Sequence, residues 1–296
     1  MPKKRPWPDE LPDVFRVSDA LEQGALTPSQ LRDPRLRRLF HGVCAPRSVP
    51  VDHALRCRGA ALVVPPSARL TGTSLATVAG APLAETWDDV EWVVPHSDWR
   101  TGPRGTVLRA ASRGPLGDTT WRGVPTASRE RMGFDLAARC GLELGTARLD
   151  VVVRARLLDL DLFKAWLLTR HDDGVVTARA AADLCDPRAE SIPESRCRVR
   201  LTRAGFAVEP QVDVFDSSGV FVGRVDLALI EWKIAVEYEG KWRTLVEGQL
   251  TADRLRLDAL RHAGWKVVHI TAERMKGRGE VEDAVRRAVA ERIAGV

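Results

Sequence analysis

Residues 221 to 243, FVGRVDLALIEWKIAVEYEGKWR, constrain the fold more than any other stretch of the chain, because their charges fall on a strand pattern. Val225, Leu227 and Leu229 alternate with Arg224, Asp226 and Ala228, and beyond a short turn Ile234, Val236 and Tyr238 alternate with Ala235, Glu237 and Glu239. The alternation predicts an antiparallel hairpin with one apolar face and one acidic face. Side chains two apart on a strand leave the same face roughly 6.5 to 7 Å from each other, so Glu237 and Glu239 are expected as neighbours, with Asp226 opposite them.

Three carboxylates so placed are costly. Two unit charges about 6 Å apart repel by roughly 3 kcal/mol at an effective dielectric near 20, and three such pairs approach the whole stability of a domain. Relief comes from full solvation, from protonation of one carboxyl, or from a divalent cation held by oxygen ligands. On these residues alone a solvated outer face and a cation site are both open.

The rest of the chain bears on that choice. At 296 residues, with 44% hydrophobic and 29% charged residues, it is long enough for two or three domains with real cores. No apolar run approaches the length of a membrane span, and the basic, Pro-rich start MPKKRPWPDELPD has no apolar stretch after it. Neither a span nor a secretory signal is expected, which implies a cytoplasmic protein with no membrane partner. The five cysteines are odd in number and lack any C-x-x-C spacing, so free buried thiols are expected rather than disulfides or a zinc knuckle. Only seven of the 45 basic residues are lysines. So uniform an arginine preference reads as codon bias, and the net charge of +5 is compatible with nucleic-acid binding without arguing for it.

Residues 1–48 read as a winged helix-turn-helix module. Ser18 can cap a short helix over DALEQ, and Gly24 can end it. Thr27-Pro28-Ser29-Gln30 is a capping box that starts a second helix. A hairpin turning at His41-Gly42 would form the wing, with Arg35, Arg37 and Arg38 beside it as candidate DNA contacts. This stretch resembles the N-terminal part of antitoxins of the AbiEi type, in its F-x-x-S-D-A-L start, its T-P-S-Q-L segment and its R-R-L-F-H-G-V-C-A-P wing. The resemblance implies a DNA-binding or regulatory module with a possible toxin or defence-system partner.

Residues 49–187 read as a mixed α+β connecting region. Strands are expected over DDVEWVVP and RGTVLRA, and helices near residues 52 to 64 and over SRERMGFDLAARC, LDLFKAWLLTR and VTARAAADLC. Trp87, Trp92, Trp99 and Trp121 are expected to pack in a core or on a sheet face.

From residue 188 onward the order of elements is informative. Ser191-Ile192-Pro193-Glu194 is a capping box that opens a helix running to Ala204. A strand at 208 to 215 follows, then the hairpin, a helix over 247 to 263, a strand at 265 to 270 and a last amphipathic helix, giving α-β-β-β-α-β-α. Glu194 has a sufficient role as a cap, and on the face that meets the sheet it is also a candidate fourth carboxylate.

Residues 188–296 read as one domain, and over roughly residues 188 to 275 it resembles the very-short-patch-repair-type endonuclease domain of the PD-(D/E)XK superfamily. The likeness lies in E-S-R at 194 to 196, G-R-V-D at 223 to 226, V-E-Y-E-G at 236 to 240, D-R-L-R-L-D-A-L at 253 to 260 and A-G-W-K-V at 263 to 267. It implies a restriction-endonuclease-like αβββαβ core that acts on duplex DNA. It further implies that Asp226 and Glu237 hold Mg²⁺ or Mn²⁺, with Glu239 a third ligand or the group orienting the attacking water, and Glu194 in support. Asp253 and Arg256 match helix positions that border such a site, and Arg243 and Arg256 are candidate DNA contacts. Two positions depart from the pattern. Glu239 stands where Asp is usual, and Lys241-Trp242-Arg243 stands where a His is usual, which removes a neutral imidazole and leaves Lys241 as the group able to position water. Two functions follow from these residues: a metal-dependent DNA endonuclease, or a DNA-binding regulator whose nuclease-like domain does not cut.

Overall fold

The computed structural model describes residues 7, 8, 10–111, 114, 116–239 and 247–295. It is a mixed α/β structure of two units, Met1–Leu136 with Ala155–Val175, and Ala137–Arg154 with Val176–Val296. Among the described residues no helix is long and apolar enough to cross a membrane, and the five cysteines are free, with Cys44, Cys57 and Cys197 buried.

The chain begins with β1 (Phe15–Arg16), α1 (Val17–Glu22), β2 (Leu36–Phe40) and β3 (Val43–Pro46), which form a three-stranded sheet in the order β1-β3-β2. Gly42 makes the expected turn between β2 and β3 at φ +70°, in the left-handed region that a side chain disfavours. The expected second helix is only a 3-10 turn, Gln30–Arg32. Its capping box does form, with the Thr27 backbone N–H donating to Gln30 Oε1 at 2.9 Å. Helix growth stops because Pro34 forces Asp33 into extended backbone, ψ 134°, where its carboxylate accepts the Arg35 N–H at 2.9 Å.

Next come α2 (His53–Ala61), β4 (Arg69–Leu70), α3 (Gly72–Val78), β5 (Val90–Pro95), β6 (Thr106–Ala111), β7 (Thr119–Trp121), β8 (Val124–Thr126) and α4 (Arg129–Ala137). The strands join in the order β6-β5-β4-β8-β7. Of the tryptophans expected to pack here, Trp92 on β5 is fully buried, whereas Trp87 and Trp99 are 67% and 54% exposed on loops.

Three helices follow, α5 (Leu142–Arg154), α6 (Leu160–Leu168) and α7 (Val175–Asp183). The pattern of the sequence assigned no element to α5, since its Val151-Val152-Val153 run is β-branched and poor in helix propensity. Tertiary contact overrides that preference: α5 lies against the next helix of the chain, α8 (Ile192–Arg203), held by a buried ion pair from Arg198 to Asp150 at 2.9 Å. Gly145 permits the close approach of α5 to the end of α4, where a Cβ would stand 2.7 Å from the Ala137 carbonyl oxygen.

The second unit continues with β9 (Glu209–Phe215), β10 (Phe221–Leu229), β11 (Ile234–Glu239), α9 (Glu247–His262), β12 (Lys266–Thr271) and α10 (Glu280–Ile293), the order of elements expected from the sequence. The sheet runs β12-β11-β10-β9, with β11 and β12 parallel and the other pairs antiparallel. Both faces are covered. Leu227, Leu229, Ile234 and Val236 pack with Cys197 and Leu201 of α8 and Val281 and Val285 of α10. Val225, Ala228 and Ala235 pack on the other face with Leu260 of α9. The single apolar face expected for the hairpin is therefore two apolar layers, because helices lie on both sides of it.

Leu260, with no exposed surface, is the residue through which α9 closes the second layer. Leu260→Ala should destabilise the second unit by about 2 to 5 kcal/mol, read as a lowered midpoint of chemical denaturation.

Candidate functional site

Val225 and Leu227 belong to opposite cores although they are two residues apart, so β10 changes face between them, at Asp226. Opposite this point β9 is irregular too, for Gln211 takes φ +55° between Val212, which pairs with Val225, and Pro210, which pairs with Leu227. The regular ladder between β10 and β11 also ends here, at Leu227 and Val236. Asp226 fills the opening. Its Oδ2 accepts the backbone N–H of Tyr238 at 3.1 Å, so a side chain takes the place of a main-chain acceptor.

Two further carboxylates reach this step. Glu237 on β11 is 3% exposed and accepts two hydrogen bonds of 2.7 Å from the guanidinium of Arg256 on α9, one to each oxygen. Glu194 approaches from α8. Its carboxylate closes the expected capping box with Ser191 Oγ at 2.7 Å, and also accepts from the Glu190 N–H at 3.0 Å and from Gln211 Nε2 at 3.1 Å. Glu194 is thus both a helix cap and a member of the site, and Gln211 ties it to the irregular step.

The electrostatic outcome falls on Asp226. Burial first, then the charge of Glu194 and that of Glu237, push its carboxyl up to about 6, while the Tyr238 N–H and Arg256 pull the other way. Arg256 gives its charge to Glu237, so Asp226 is the carboxyl left to hold a proton.

The expected cluster of Asp226, Glu237 and Glu239 is therefore rearranged. Asp226, Glu237 and Glu194 come together, whereas Glu239 has its Oε1 3.0 Å from His269 Nδ1 on β12, at an angle that makes no hydrogen bond. Among the described residues no group of three His, Cys, Asp or Glu side chains comes together as a metal site. Arg256, expected to border the site and to contact DNA, is the counter-cation of Glu237 and also donates to the Arg224 carbonyl at 3.2 Å. Lys241 and Arg243 lie outside the described residues, and Asp253 falls on α9. In the first unit, Arg37 and Arg38 are successive on β2 and leave it on opposite faces. Arg35 is paired with Asp33 at 2.9 Å and stacked 3.8 Å over Trp7, so the three arginines do not share one face.

Sequence reasoning missed Gln211, which carries no signal in a strand pattern, and His269. The pairing of Arg256 with Glu237 was open to an argument from charge balance, since a carboxylate in a strand covered on both sides needs a cation from a covering helix.

No family model matches the chain, and no solved structure matches it. Two uncharacterized proteins of Mycobacterium tuberculosis, one from strain CDC 1551 / Oshkosh and one from strain H37Rv, are each 29% identical to it over 129 residues, 43% of this chain. The chain spans about half, 47%, of the length of these relatives.

A carboxyl with a raised folded-state value still holds its proton between about pH 4 and 6, where the unfolded chain has released it, so stability falls as pH rises through that window. Asp226→Asn keeps an acceptor for the Tyr238 N–H and removes the charge. It should stabilise the protein by up to about 3 kcal/mol near pH 8 and by almost nothing near pH 4, measured as the pH dependence of the denaturation midpoint.

Proposed function

We propose that the chain is a DNA-binding protein whose second unit is an endonuclease-type domain directed at phosphodiester bonds, with Asp226 and Glu237 as its working carboxylates. The supporting observation is the convergence of Asp226, Glu237 and Glu194, from three separate elements, on one irregular step of the sheet, with Asp226 raised to about 6. A carboxyl titrating there exchanges a proton near neutral pH, as a group that accepts a proton from an attacking water must.

The chemistry of the donor set is that of a Mg²⁺ or Mn²⁺ site, hard oxygen ligands alone. Its geometry does not fit one. Both oxygens of Glu237 are held by Arg256 and Glu239 is turned toward His269, so no step of the reaction is drawn through a cation. What the chain's own residues do is accept a proton at Asp226, keep Glu237 neutralised through Arg256, and fix Glu194 through Ser191 and Gln211. The winged helix-turn-helix reading of residues 1–48 rests on the resemblance and on the hairpin of β2 and β3.

A second reading is a DNA-binding regulator of antitoxin type with a nuclease-like domain that does not cut. The bidentate closure of Glu237 by Arg256 favours it, since an arginine there does the neutralising work of a cation without its reactivity. One assay separates the two: nicking of supercoiled plasmid in the presence of Mg²⁺, beside DNA affinity. The endonuclease reading expects nicking by the wild type that falls by about 100-fold or more in Asp226→Asn and Glu237→Gln while affinity persists. DNA binding with no nicking by the wild type would establish the regulator instead.

A further inference from the structure

We infer that the outward face of α8 is a phosphate-backbone binding surface beside the carboxylate step, with Arg196, Arg200, Arg203 and Lys276 as its cations. The inference rests on the DNA-binding reading and names the part of the second unit that holds the strand.

Arg196, Arg200 and Arg203 stand at i, i+4 and i+7, on one face of the helix, spanning about 10 Å along its axis. Two cavities flank them. One, of about 450 Å³, lies between α8 and the turn after β12 and is lined by Arg196, Arg200, Tyr238 and Lys276. The other, of about 420 Å³, lies between α8 and the start of α5 and is lined by Arg196, Arg200, Arg203 and Glu143. Both are in the size range of cavities that enclose small ligands, ~300 to 1,000 Å³.

The guanidinium groups on this face outnumber the carboxylate they pair with. Arg196 and Arg200 share the carboxylate of Glu143, at 3.5 and 2.9 Å, and Arg200 turns a second nitrogen to the Gly277 carbonyl at 3.4 Å. Arg196 Nε is buried with no hydrogen-bond partner, so this guanidinium lacks an acceptor that the fold does not supply. Arg203 and Lys276 are exposed at the two ends. A planar donor fork short of one acceptor, between two cavities and in a row of cations, matches successive phosphate oxygens of a nucleic-acid strand.

The position favours a phosphodiester over an unrelated anion. Tyr238 forms part of the wall of the larger cavity, and the Tyr238 N–H is the group that Asp226 accepts from. Pro193, next to Glu194, forms another part. The larger cavity is thus lined by the residue whose N–H bonds Asp226 and by the residue before Glu194, which sets it close to the carboxylate step.

The test uses the full chain and a fluorescein-labelled duplex, with affinity measured over a series of salt concentrations. Arg196→Gln, Arg203→Gln and Lys276→Gln should each weaken binding several-fold and make the log-log salt slope shallower by about 0.9 per lost contact. Lys276 and Arg203 are exposed, so their variants keep the test valid if Arg196→Gln fails to fold. Wild-type protein that binds the duplex while all three variants match it in affinity and slope would overturn the surface and leave the DNA-binding reading standing. Wild-type protein that does not bind the duplex at low salt would overturn that reading and the surface together. Displacement of the duplex by millimolar inorganic phosphate at matched ionic strength would make this a site for free phosphate, which also overturns the inference.

Discussion

A carboxylate buried in a sheet that is covered on both faces is the constraint on which the second unit turns. Glu237 is almost fully enclosed, and an unpaired charge there would be expensive enough to unfold a domain or to force protonation. Arg256 resolves this with two hydrogen bonds of 2.7 Å, and in doing so ties α9 to β11 one helical turn before the apolar contact at Leu260. Removing Arg256 would leave Glu237 buried and charged, which typically costs more than the pair contributes. The pair therefore fixes where α9 lies over the sheet as much as it adds stability.

That arrangement has a consequence for Asp226. The Arg256 guanidinium is committed by its geometry to Glu237. Glu194 is satisfied by uncharged donors, the Ser191 hydroxyl, the Glu190 N–H and the Gln211 amide, so its charge is held in place without being cancelled. Asp226 then carries the repulsion, and its raised value is the residue of a charge balance settled elsewhere. The face change of β10 at this residue makes it possible, because there a side chain from an inner strand lies between the layers above and below.

Helix α8 serves the site on several sides at once. Its first turn presents Glu194 to the sheet, its apolar positions Cys197 and Leu201 join the core with α10, and Arg198 is buried against Asp150 of α5. The face that remains carries Arg196, Arg200 and Arg203. A helix bonded on three sides is rigid, and charges mounted on it are held at a fixed distance from the carboxylates beside them.

The alternation of residues 221 to 239, the capping box at Ser191 and the glycines that end helices determined the order of elements in the second unit, because strand and helix periodicities and caps are local properties of the chain. They also singled out Asp226, Glu237 and Glu194. Local signals misled where context overrode them: the Thr27 capping box formed but Pro34 cut its helix to a turn, and the β-branched run of α5 became helix because α8 packs on it. Only the tertiary structure decided that Val225 and Leu227 face opposite cores, that Glu239 is turned to His269, and that Arg256 rather than a second carboxylate is the neighbour of Glu237. Each of these depends on which helix covers which face of the sheet and on a backbone irregularity shared by two strands. The period of a single strand carries no information about either.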